Sequence, residues 1–229
     1  MRRSGDGRRN ARIGLSLAGA VLLALAVAQL VLPRIAASRI SSRLGRYGEV
    51  QSVSVSAWPA LKLLWGSADS VRARAGRLSL APGQAARLLW EARGAASLDI
   101  TAQSVLVGPL RLQEARLRKR DRSLSAEGRV SEADARAALP PGWDVTLVGS
   151  EAGEVKVRAS GGLFGVGASV DAVALASGGK LVAHPVGALL AGFQLTLFSD
   201  RHVYVEGVGA NRDAAQPASY RLSMRASLR

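Results

Sequence analysis

Val53-Ser54-Val55-Ser56-Ala57-Trp58-Pro59-Ala60-Leu61-Lys62-Leu63-Leu64-Trp65-Gly66-Ser67-Ala68-Asp69-Ser70-Val71 sets the character of the chain. Val53 and Val55 alternate with Ser52, Ser54 and Ser56, and beyond the stretch Val71, Ala73 and Ala75 alternate with Arg72 and Arg74. A period of two puts every second side chain on one face, so both runs read as half-buried strands. Between them, Trp58 to Gly66 is a short apolar segment with Pro near its start and Gly at its end, the punctuation of a brief helix.

The same alternation recurs outward from this unit. A second apolar helix is expected over Pro82–Arg93, carrying Leu88, Leu89 and Trp90, followed by a strand at Ser97–Val107. Pro109 introduces Leu110–Arg122. A third short helix is expected over Ser131–Leu139, where Ser131-Glu132-Ala133-Asp134 resembles a capping box and Pro140-Pro141 closes it. From Trp143 onward, strands are expected near 143–149, 153–160, 164–176, 179–184, 192–198, 202–208 and 217–228. The fold class is therefore α+β and strand-dominated: a large curved antiparallel sheet wrapping short amphipathic helices around an elongated apolar groove, preceded by one N-terminal transmembrane helix.

That helix is Ile13–Leu32, twenty residues interrupted by Ser16 and Gln29, enough to span a hydrocarbon core of about 30 Å. Residues 1–12 form a basic tail with Arg2, Arg3, Arg8, Arg9 and Arg12 against Asp6. Flanking positive charge keeps such a tail cytoplasmic, so residues 33–229 are expected to form one extracytoplasmic domain at the cell membrane. Ala26-Val27-Ala28 also fits the small-x-small pattern of a signal peptide cleaved after Ala28. The apolar run continues through Leu30-Val31-Leu32, which favours the uncleaved anchor; cleavage is the alternative. From Pro33 to Arg46, Ile35, Ala36, Ile40 and Leu44 at helical spacing, with Arg34, Arg39, Arg43 and Arg46 between them, predict a basic juxtamembrane helix.

The formal charge is +14, and the chain after Leu32 retains an excess of ten basic residues. Nearly all are Arg; only Lys62, Lys119, Lys156 and Lys180 are Lys. An acidic partner is favoured. The chain has no Cys and two His, His184 and His202. Disulfides and thiol chemistry are excluded, and a zinc hydrolase has little to be built from. Gly161-Gly162-Leu163-Phe164-Gly165-Val166-Gly167 lacks the strand-before, helix-after setting of a dinucleotide loop, and reads as a Gly-rich bend opening a strand. No catalytic residue, metal or cofactor is expected.

The binding candidates are apolar and basic. Trp58, Leu61, Leu64 and Trp65, with Leu88, Leu89 and Trp90, are candidates for the groove rim, and Val166, Val170, Phe193 and Leu195 for its lining, where Val53, Val55, Ala168, Ala172 and Leu197 join them. On a strand Arg116, Arg118, Arg120 and Arg122 share one face and suit lipid phosphate. No aromatic residue interleaves with that run, which argues against nucleic acid.

In feature order, residues 33–229 resemble the LmeA family of phospholipid-binding proteins of actinobacterial-type cell envelopes. The segment Val53–Val71, with Ser131-Glu132-Ala133-Asp134-Ala135-Arg136-Ala137-Ala138-Leu139-Pro140 and Val203-Tyr204-Val205-Glu206-Gly207-Val208, carries the likeness. The leucine-proline step usual before the last strand pair is missing around Ser199-Asp200-Arg201. The resemblance implies a non-enzymatic, envelope-facing, exported or anchored protein that holds or shuttles phospholipid and supports lipid or lipoglycan assembly. The alternative is an envelope scaffold that binds acidic wall polymer or a membrane partner through its basic surface. An apolar tunnel distinguishes the two.

Overall fold

Serine and arginine alternating with small aliphatics give the first strands a wet face and a dry one, and the dry face organises the larger of two sheets. The computed structural model describes residues 27–229 except 140, 152, 164–165 and 188–193. The expected transmembrane segment therefore lies largely outside the described residues; its last six, 27–32, open a helix, α1, over 27–44. Among the described residues no helix is long and apolar enough to cross a membrane.

The seven-stranded sheet is built from β1 (Gly48–Ser56), β2 (Ala68–Leu80), β3 (Ala95–Val107), β4 (Leu110–Arg120), β5 (Ser123–Ser131), β11 (Val203–Arg212) and β12 (Ser219–Leu228), in the order β1-β2-β3-β4-β5-β12-β11. The five-stranded sheet holds β6 (Trp143–Glu151), β7 (Glu154–Leu163), β8 (Val166–Ser177), β9 (Lys180–Val186) and β10 (Leu195–Phe198), in the order β10-β9-β8-β7-β6. The expectation of one antiparallel sheet is corrected twice. There are two sheets, and β2 pairs with β3 in parallel. The connection between these strands contains the helix α2 (Pro82–Glu91) and a 3-10 turn at Ala92–Gly94. A link of that length returns the chain to the same end of the sheet, whereas a tight hairpin forces antiparallel pairing.

β5 was not anticipated. Its alternate positions Leu124, Ala126, Gly128 and Val130 include one alanine and one glycine, so the period of two is faint. It pairs along its length with β12, from Ser131 opposite Ser219 to Ser123 opposite Ser227. The other local readings match the structure closely. Ala60–Trp65 is a 3-10 turn that ends at Gly66 in the left-handed region, φ 72°. In α3 (Glu132–Ala137), the Ser131 hydroxyl accepts the Asp134 N–H at 3.0 Å.

The inner face of the seven-stranded sheet is covered at one end by helices. Ile40 of α1 and Leu89 of α2 pack against Val71, Ala95 and Leu98; Ala86 and Leu89 pack against Leu124, Val203, Ala226 and Leu228. The two sheets meet along β11. Val205 donates its N–H to the Gly179 carbonyl at 2.9 Å, in the β8–β9 turn. Ala210 donates to the Ser150 hydroxyl at 3.0 Å, near the β6–β7 turn. The hairpin ends of the smaller sheet thus abut the edge of the larger one, leaving its strands to run away from the junction.

Candidate functional site: an apolar sheet face and an exposed aromatic turn

Cross-strand register defines the faces of the five-stranded sheet. Leu147, Val157, Ala172 and Pro185 form one row across β6 to β9, and Val155, Ala174, Ala183 and Leu195 form the next across β7 to β10. Val145, Ala159 and Val170 continue the same face toward the other end. Val155 is buried, Leu195 is open to solvent, and the remaining members are half-buried. A contiguous apolar face of this kind is the candidate binding surface. The opposite face is mixed: Val173, Leu175 and the fully buried Val182 lie on it, and Arg158 and Asp171 form a two-point ion pair there at 2.6 and 2.8 Å. The hydrogen bond from Arg158 holds the Asp171 carboxyl below its ordinary pKa.

The expected lining residues are split by the sheet division. Val170, Ala172 and Leu195 lie on this face, Val166 opens β8, and Phe193 lies outside the described residues. Val53 and Val55 belong to the other sheet, on β1. Leu197 is exposed, beyond an irregularity in the pairing of β10 with β9.

The expected rim also divides. Trp58, just before the 3-10 turn, and Leu64 and Trp65 within it are 72, 65 and 77 % exposed, while Leu61 is half-buried and Ala60 is buried. The turn is clasped from below by Gln29 of α1, whose side-chain amide donates to the Ala57 carbonyl at 3.1 Å and accepts the Ala60 N–H at 2.7 Å. Leu88, Leu89 and Trp90 take a different part. Leu89 is a core contact of the seven-stranded sheet. Trp90 stacks on His202, with ring centroids 4.0 Å apart, and carries the Arg93 guanidinium over its ring. Both aromatic partners are occupied within the fold.

Arg116, Arg118 and Arg120 alternate on the outer face of β4, as the spacing predicts, but Arg122 does not join them. β4 ends at Arg120, and Asp121 turns the chain with φ 53°. Arg118 and Arg120 are exposed, whereas Arg116 makes a two-point pair with Asp99 at 3.2 and 2.8 Å. That hydrogen bond lowers the Asp99 pKa against the opposing effect of burial. Across the strands, Arg72 faces Asp99, Asp99 faces Arg118, and Arg225 shares their row through Ser125. The outer face is consequently basic.

Lys119 is the residue that the charge run concealed. Between two outward arginines it points inward, is 2 % exposed, and donates from Nζ to the carbonyls of Arg93, at 3.3 Å, and Ala95. Burial lowers its pKa. It lines a cavity of about 480 Å³ with Lys62, Asp69, Arg93, Asp121 and Arg122, beside the aromatic turn. A second cavity, of about 300 Å³, lies at the sheet junction and is lined by polar and small residues including Ser150, Asn211, Ser223 and Arg225. Neither is an apolar tunnel. Among the described residues no cluster of His, Asp and Glu is arranged to hold a metal ion.

A family model described as LmeA-like phospholipid-binding matches residues 23–220. No curated protein and no solved structure matches the chain.

Proposed function

The chain belongs to the LmeA-like phospholipid-binding family, and from that premise we propose that it holds phospholipid acyl chains along the apolar face of its five-stranded sheet. The observation that carries this reading is the pair of rows Leu147-Val157-Ala172-Pro185 and Val155-Ala174-Ala183-Leu195, apolar throughout, half-buried in the main and open to solvent at Leu195. Each buried methylene contributes about 0.8 kcal/mol, so an open face retains a lipid without enclosing it. β7 and β8, of 10 and 12 residues, extend about 33–40 Å, a track long enough for a whole acyl chain. The small side chains of Ala159, Ala172 and Ala174 leave width for it.

In this reading Ile13–Leu32 anchors the chain in the cell membrane, the domain faces the envelope, and its task is to hold or shuttle lipid in support of envelope lipid or lipoglycan assembly. No catalytic step is involved. Native mass spectrometry of the purified full chain, after detergent is stripped in the gas phase, tests the proposal. Phospholipid is expected to remain bound to the native chain and to be lost from Ala172→Asp. A native chain that carries no phospholipid contradicts it.

The basic outer face of the larger sheet, with Arg72, Arg118, Arg120 and Arg225 in adjacent positions, favours a second reading as a scaffold for acidic wall polymer. Polymer binding that survives Ala172→Asp and falls with Arg118→Glu/Arg120→Glu supports that reading instead.

A further inference from the structure

Large exposed apolar side chains gather at two places that the fold joins. One is the start of α1, where Val27, Leu30 and Val31 are exposed; the other is Trp58 with the 3-10 turn that follows it, which bears Leu64 and Trp65. The two Gln29 hydrogen bonds, at 2.7 and 3.1 Å, clip one to the other. Gln29 is also the polar residue that interrupts the second half of the Ile13–Leu32 run. Its amide therefore has a structural use that an isolated membrane helix would not require.

Core packing does not explain the turn. Its inward residue is Ala60, at 1 % exposure, while Trp65 on the same turn is 77 % exposed. Tryptophan favours the membrane–water boundary, where its ring meets acyl chains and its N–H meets headgroups. The surroundings carry a net positive charge: Lys62 lies within the turn, paired with Asp69 at 3.5 Å, and Arg93, Arg122 and the buried Lys119 line the adjoining cavity against Asp69 and Asp121. Cations at this level are attracted to anionic headgroups.

We propose that the Trp58–Trp65 turn is a second membrane contact, inserted in the outer boundary of the same bilayer that holds the N-terminal segment. The occupant of this surface is the bilayer itself. Two contacts joined by Gln29 fix the orientation of the domain, which a single flexible tether would leave free, and bring the cationic cavity to the depth of the lipid phosphates. The proposal rests on the anchoring part of the functional reading but not on lipid being bound along the sheet.

The test uses the full chain reconstituted in phosphatidylcholine–phosphatidylglycerol vesicles whose acyl chains are either plain or brominated. Trp143, which belongs to the five-stranded sheet, is replaced by Phe in every sample so that lipid held there does not contribute. Brominated chains are expected to remove most of the emission of Trp58 and Trp65. The further double substitution W58F/W65F, at two exposed positions, is expected to leave a Trp90 signal equal in the two lipids. Vesicle-bound protein whose emission is the same in both lipids, or a W58F/W65F chain quenched as strongly as its parent, overturns the proposal while the anchor stands. A chain that fails to float with the vesicles overturns the proposal and the anchoring reading together.

Discussion

Gln29 and Ala60 are joined by a 2.7 Å hydrogen bond from the Ala60 N–H to the Gln29 side-chain oxygen, and this bond couples α1 to the turn that carries the exposed Trp65. Ala60 is buried, so its amide has no ready access to water once the glutamine is removed. Gln29→Ala is expected to destabilise the turn locally by about 1–3 kcal/mol, the cost of leaving a buried donor unmade. Hydrogen exchange checks this: the Ala60 amide should lose protection while the amides of β11 and β12 keep theirs.

The junction between the sheets depends on Gly179. Its φ is 79°, and a Cβ at this position would run into the Tyr204 ring of β11. Gly179→Ala combines an unfavourable backbone conformation with a collision, and is expected to cost about 1–3 kcal/mol. Denaturant unfolding should register this loss, whereas Gly108→Ala, at φ 59° in open space, incurs only the backbone part.

Much of this architecture is legible in the chain because short-range signals are strong. Pro59 and Gly66 bracket the 3-10 turn, Ser131 and Asp134 cap α3, and the strands from Trp143 onward fall within a few residues of their alternation. Pairing is a different matter. Alternation tells which residues of one strand share a face, not which strand lies beside it, so Val53 and Val170 read as one lining although they sit in different sheets. Likewise, the Arg116–Arg122 run shows charge at every position but one, and only the backbone shows that Lys119 faces inward and that Asp121 ends the strand before Arg122.

Acid is expected to destabilise the fold through Asp99, Asp171 and Asp213, whose carboxyls all lie below their ordinary pKa. For Asp99 and Asp171 the leading cause is a hydrogen bond from an arginine; for Asp213 it is the Ala215 N–H. When the folded pKa is lowered, the unfolded chain takes up the proton first as pH falls. The stabilisation is therefore complete above the unfolded carboxylate value, about 3.9, and is lost progressively as pH falls through the folded one. Thermal melts should be level from neutral pH to about 5 and drop below about 4, less steeply in Asp99→Asn.

Lys119 has the reverse consequence at alkaline pH. Because burial lowers its folded pKa, the folded chain releases that proton before the unfolded one does, so stability rises with pH between the folded value and the unfolded value of about 10.4. Denaturant titrations across this window should show a rise in the native chain that is absent from Lys119→Met.

The central claim is that acyl chains lie on the five-stranded sheet, and photo-crosslinking with a phospholipid bearing a diazirine near the end of one acyl chain tests it most directly. Cross-links are predicted on peptides containing Leu147, Val157, Ala172 and Ala183. Cross-links confined to the seven-stranded sheet, or lipid that co-purifies without labelling the smaller sheet, would contradict the account.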